Sequence, residues 1–151
     1  NAEAAVTRAE WPARMQRLRT GPLVDAAPQV ELWLDGGHNP AGGDAVAATL
    51  AAMPKRPTHL ICGMLNTKDI GGYLRPLAPH VTSLSAVSIP GEAATLPAAA
   101  TCDAALKAGM NANEAPSVLE ALRTIAQTDP TARVLICGSR YLAGQVLREN
   151  G

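Results

Sequence analysis

Val30-Glu31-Leu32-Trp33-Leu34-Asp35-Gly36-Gly37-His38-Asn39-Pro40 is the stretch on which the fold turns. Val30–Leu34 is short and mostly apolar, which predicts a strand. Asn39 is a good N-cap and Pro40 fits the first helical position, so a helix over residues 39–53 is expected. Ala45, Val46, Thr49, Leu50 and Met53 follow helical spacing within it. Between strand and helix stand an acid, two glycines, an imidazole and an amide. In open α/β sheets this junction is where ligands bind.

The pattern repeats outward from that unit. Pro54-Lys55-Arg56-Pro57 ends the helix. His59–Met64 is a continuous apolar run that suits a parallel strand covered on both faces. Residues 69–77 read as a short helix weakened by Gly71 and Gly72, residues 81–89 as a strand, and residues 90–100 as a loop. Thr101 is expected to cap a helix over 102–108. Ser117-Val118-Leu119-Glu120 has the spacing of a capping box ahead of the apolar stripe Leu119, Leu122 and Ile125. A last strand over 134–137 and a last helix over 140–149 close the chain. Residues 1–29 read as an irregular lead-in with one helical possibility.

This alternation predicts an α/β fold, Rossmann-like, with a mainly parallel open sheet and helices on both faces. Leu60-Ile61-Cys62-Gly63 and Leu135-Ile136-Cys137-Gly138 are the same tetrapeptide. They read as two equivalent strand ends at one edge of the sheet.

The bulk numbers set limits. A chain of 151 residues is expected to form one domain. Thirteen basic residues balance thirteen acidic ones, so charge gives no reason to expect nucleic acid or an anionic membrane as partner. Apolar runs are strand-sized, too short to span a bilayer. Asn1-Ala2-Glu3-Ala4-Ala5 lacks an initiator Met and the features of a signal peptide. That points to a piece of a longer protein, with tag processing as the other source. Cys62, Cys102 and Cys137 form no C-x-x-C pair, and His38, His59 and His80 show no metal-ligand spacing. No metal site is expected, and three isolated cysteines suit a reducing cytoplasm.

The candidate site residues each carry a bland reading beside the functional one. Gly37-x4-Gly42 has the spacing of a phosphate-cradling loop, but Gly43 and Asp44 stand where its Lys and hydroxyl belong. Asp35 either accepts from a ligand hydroxyl or a partner cation, or solvates the turn. His38 can donate to a phosphate or carboxylate, or be an ordinary surface residue. Asn39 caps the helix, whose N-terminus also favours anions. Ser139 can hold a carboxylate or simply cap the last helix. Arg14, after Trp11-Pro12-Ala13, suits phosphate recognition, with a solvated surface guanidinium as the alternative.

Taken together these motifs resemble the C-terminal domain of the folylpolyglutamate synthase and dihydrofolate synthase family, within the Mur ligase superfamily. The resemblance rests on Trp11-Pro12-Ala13-Arg14, Asp35-Gly36-Gly37-His38-Asn39-Pro40, Gly63-Met64-Leu65-Asn66-Thr67-Lys68-Asp69 and Gly138-Ser139-Arg140-Tyr141-Leu142. Ile89-Pro90-Gly91-Glu92 looks like the loop of bacterial members. Ala13 stands where the family has Gly, and Gly37 where it has Ala. Both departures keep small residues.

The resemblance implies residues 1–29 as an interdomain lead-in and 30–151 as a ligase C-terminal domain. It implies an ATP-dependent ligase that phosphorylates a carboxylate on dihydropteroate or a folyl-glutamate and joins it to L-glutamate. ATP and Mg2+ are the implied cofactors, with the Mg2+ ligands in an N-terminal P-loop domain of the same polypeptide. Arg14, Asp35 and Asn39 are placed on the nucleotide side, His38 at the reacting end, and His38 with Ser139 on the glutamate. The motif containing Lys68 and Asp69 gets no chemical role, and a salt-bridged helix start is its simpler reading. The isolated piece is expected to be inactive. Two other readings stay open: a muramyl-peptide-type or cyanophycin-type ligase, and a non-catalytic nucleotide- or amino-acid-binding module.

Overall fold

The structure, a computed structural model, describes residues 14–66 and 69–150. Six strands form one sheet in the order β1-β2-β6-β3-β4-β5. They are β1 (Gln16–Leu18), β2 (Glu31–Leu34), β3 (Thr58–Cys62), β4 (Ser83–Ala86), β5 (Ala112–Glu114) and β6 (Arg133–Cys137). Only β1 runs antiparallel, against β2, and the other pairings are parallel. The helices are α1 (Pro22–Ala26), α2 (Pro40–Ala52), α3 (Ile70–Leu74), α4 (Ala98–Lys107), α5 (Val118–Thr128) and α6 (Arg140–Asn150), with a 3-10 turn at Arg75–His80 after α3.

Parallel strands need crossovers, and the crossovers cover both faces. On one face Leu32, Leu34, Ile61, Val134 and Ile136 pack against α5 and α6 through Leu122, Ile125, Leu142 and Val146. On the other, Leu60, Cys62, Leu84, Leu135 and Cys137 pack against α2, α3 and α4 through Val46, Leu50, Tyr73 and Ala105. Burial on both faces explains why β3 and β6 are buried along their whole length. The twin tetrapeptides are in-register neighbours, with Leu60 opposite Leu135, Ile61 opposite Ile136 and Cys62 opposite Cys137. All three cysteines are free and buried. The neighbouring Cys137 thiol and burial push the Cys62 thiol well up, so it is neutral and inert.

Three local readings are corrected. α4 begins at Ala98 behind Pro97, not at Cys102. Thr101 lies inside it, fully buried, and its hydroxyl has no hydrogen-bond partner among the described residues. Three alanines extend the helix toward the N-terminus, and Ser88 Oγ accepts from the Ala98 amide at 3.0 Å. The helix after residue 69 stops at Leu74 and tightens into the 3-10 turn where Pro76 and Pro79 interrupt it. Residues 14–29 are not irregular: they supply the edge strand β1 and the helix α1. The capping box is half formed. Ser117 Oγ accepts from the Glu120 amide at 3.1 Å, while the Glu120 carboxylate pairs with Arg123 instead.

Candidate functional site

The sheet order creates a crevice at β6. Chain leaving β2 enters α2 on one face, and chain leaving β6 enters α6 on the other. Adjacent strands whose following helices part to opposite faces define a topological switch point, the usual ligand position in such sheets. The loops Asp35–Asn39 and Gly138–Ser139 border it. His38 and Ser139, a hundred residues apart in sequence, line a common cleft of about 220 Å³. Asn66, Arg140 and Tyr141 line it as well.

His38 is exposed and free to meet a ligand. Ser139 is buried. Its Oγ accepts from the Tyr141 amide at 3.0 Å and the Leu142 amide at 3.5 Å, so it caps α6. A hydroxyl that accepts two bonds still has a proton to donate. Gly138 makes the turn possible: its φ is +109°, and a Cβ there would sit 2.6 Å from the Gly63 carbonyl oxygen and 2.8 Å from Cys62 Sγ.

Asp35 is 3% exposed, so it does not merely solvate the turn. One carboxylate oxygen accepts from the Met15 amide at 2.9 Å, the other from the Gly37 amide at 2.9 Å. Burial raises its pKa, against the pull of those two amides and of the Arg14 charge. The bond to Met15 has a visible task. Met15 has φ +43°, in the left-handed region that costs a non-glycine residue roughly 1–2 kcal/mol. Asp35 thus pins the chain at the entrance to β1, beside the exposed Arg14.

Asn39 adopts extended backbone, and its side chain accepts from the Gly42 amide at 2.8 Å, so it caps α2 with Pro40 in the first turn. Asp69 caps α3 through the Gly72 amide at 2.9 Å. Trp11, Pro12, Ala13, Thr67 and Lys68 lie outside the described residues. Among the described residues, no group of three or more His, Cys, Asp or Glu side chains could hold a metal ion, and no helix is long and apolar enough to cross a membrane.

Sequence reasoning left Asn66, Arg140 and Tyr141 without a role in the cleft. Tyr141 is a large aromatic at the second position of α6, half exposed where its neighbours Leu142 and Ala143 are buried. The grip of Asp35 on Met15 carried no signal, because it depends on the edge pairing of β1.

Known proteins share this fold. The folylpolyglutamate synthase of Lacticaseibacillus casei is 27% identical over 146 residues, covering 97% of this chain and 31% of that enzyme. A Mycobacterium tuberculosis folylpolyglutamate synthase complexed with ADP superposes with a TM-score of 0.73 at 26% identity, over 90% of this chain and 31% of that one. A bifunctional folylpolyglutamate synthase/dihydrofolate synthase with Mn, AMPPNP and L-glutamate bound superposes with a TM-score of 0.72 at 26% identity, over 91% and 31%. The chain therefore spans about a third of the length of these relatives. Residues 13–140 match the family model described as Mur ligase, glutamate ligase domain, and the chain belongs to that family.

Proposed function

We propose that this domain forms one wall of the active site of an ATP-dependent ligase that adds L-glutamate to dihydropteroate, to folyl-glutamates, or to both. The single observation that carries this reading is the meeting of His38 and Ser139 in one cleft at the switch point, in a chain of this family. The reaction has two steps. A substrate carboxylate attacks the terminal phosphorus of ATP, giving an acyl phosphate and ADP. The glutamate amine then attacks the acyl carbon, phosphate leaves, and the amine gives up a proton. Catalysis of this kind depends on positioning and on charge.

In this reading the Ser139 hydroxyl donates to a glutamate carboxylate, and His38 stands at the rim where amine and acyl phosphate meet. Arg14 reaches toward the ATP phosphates. Asp35 acts on the nucleotide side through the chain it fixes, since both its oxygens already accept amide bonds. Asn39 sets the direction of α2. In this reading, which follows the family resemblance, the metal and the main phosphate grip belong to a P-loop domain of the same polypeptide. Three free thiols suit a cytoplasmic enzyme.

The test is turnover by the full-length protein. ADP release should require both L-glutamate and a pteroate or folate substrate. Turnover with a muramyl-peptide acceptor and none with a pteroate would overturn the reading.

A further inference from the structure

A second cluster of polar residues lies at the other end of the strands from the cleft. The register sets Glu31, Arg133 and Thr58 abreast on β2, β6 and β3. Arg133 is 3% exposed. Its Nε donates to Glu31 Oε1 at 2.9 Å, and its Nη2 donates to the Pro54 carbonyl at 2.9 Å. Arg56 Nη1 donates to Glu31 Oε2 at 2.8 Å, and Arg56 Nε to the Thr131 carbonyl at 2.6 Å. Trp33 Nε1 adds a third donor to Glu31, at 2.8 Å. Burial pushes the Glu31 pKa up, but the Arg133 and Trp33 bonds and the two guanidinium charges outweigh it and hold the carboxyl ionised.

One carboxylate therefore serves two guanidinium groups, leaving one positive charge in excess. Arg56 Nη2 has no partner among the described residues. A cavity of about 640 Å³ opens on this pair, with Lys55 and His80 on its wall beside Arg56 and Arg133, and Leu50 and Met53 on an apolar flank. Among the described residues no acidic one lines it. Excess charge that is partly withdrawn from water is costly unless a counter-charge meets it. A guanidinium edge beside an ammonium group matches the oxygens of phosphate or carboxylate.

We propose that this cavity binds a small oxyanion of the phosphate or polycarboxylate kind, gripped by Arg56 and Lys55. Arg133 and Glu31 are positioning residues that hold the Arg56 head at the cavity. The site is separate from the His38–Ser139 cleft and stands whether or not the ligase reading does.

The test is calorimetric titration of the full-length protein with citrate in one arm and inorganic phosphate in the other, at constant ionic strength set with sodium chloride. Binding of either with a Kd below about 1 mM supports the site, and the arm that binds names the oxyanion. Lys55→Ala, an exposed change that leaves the Glu31 network whole, and Arg56→Gln should each weaken binding roughly ten-fold. His38→Ala should bind as the wild type does. No binding in either arm, or unchanged affinity in Lys55→Ala, overturns the proposal.

Discussion

Replacing Gly138 with alanine should do more damage than the same change at Gly63, although both glycines end the same tetrapeptide. Gly138 has φ +109°, where an L side chain costs about 1–2 kcal/mol. The added Cβ would also stand 2.6 Å from the Gly63 carbonyl oxygen, 2.8 Å from Cys62 Sγ and 3.0 Å from Met64 Cγ. The nearest of these is backbone just past the end of β3, so relief requires the chains to part at the C-terminal ends of β3 and β6. Overpacking of that kind costs about 1–3 kcal/mol. The sum is about 2–5 kcal/mol, or a fall in Tm of roughly 5–15 °C for a domain of this size. At Gly63 the backbone is not left-handed, and the new Cβ meets only the ends of Ile89, Leu142 and Val87 at 3.2 Å. Those side chains can yield, so about 1 kcal/mol is expected. Urea unfolding followed by far-UV circular dichroism and by tryptophan fluorescence measures both variants. Equal midpoints for Gly138→Ala and Gly63→Ala would refute the reasoning.

Four further outcomes follow from the same geometry. Asp35→Asn puts an amide donor where a carboxylate oxygen now accepts from Met15 or Gly37, and should cost about 1–3 kcal/mol in urea unfolding at neutral pH. Because burial raises the Asp35 pKa, a proton-linked part of the stability, separate from these amide bonds, is full below the unfolded carboxylate value and is lost as the pH rises through the folded one. Asp35→Asn should remove that dependence, as stability measured across pH 3–7 will read (about the carboxylate range). Glu31 runs the opposite way. Its pKa is lowered, so its contribution is present above the unfolded value and is lost as pH falls through the folded one. The stability gap between wild type and Glu31→Gln should therefore narrow as the pH falls below the ordinary glutamate value and close below the lowered folded one. Gly43→Ala drives a Cβ into the Tyr73 carbonyl where α2 meets α3, and should lower stability by about 1–3 kcal/mol in the same assay. Ser117→Ala removes the α5 cap and should cost about 1 kcal/mol.

Local features were legible in the sequence wherever their cause is local. Asn39-Pro40 reads as a helix start because an Asx cap and a first-turn proline act within four residues, and the Asn39–Gly42 bond is that act. The twin Leu-Ile-Cys-Gly runs read as equivalent strand ends because burial on both faces demands continuous apolar strands. Features with remote causes were not legible. β1 is three residues long, too short for a period of two to show, yet it brings Met15 to Asp35 across 20 positions. β5 is equally short and mostly exposed. The cap of α4 comes from Ser88, ten residues upstream, so the nearer Thr101 was a misleading candidate. The meeting of His38 with Ser139 depends on β6 inserting between β2 and β3, and strand order leaves no local trace.

The most direct test of the proposed function is steady-state kinetics of full-length His38→Ala. His38 is exposed, so its removal leaves the fold intact and the change reads on the site. The KM for L-glutamate should rise about ten-fold or more while the KM for ATP stays within about two-fold. An unchanged kcat and an unchanged KM for glutamate would contradict the assignment of this cleft to the incoming amino acid.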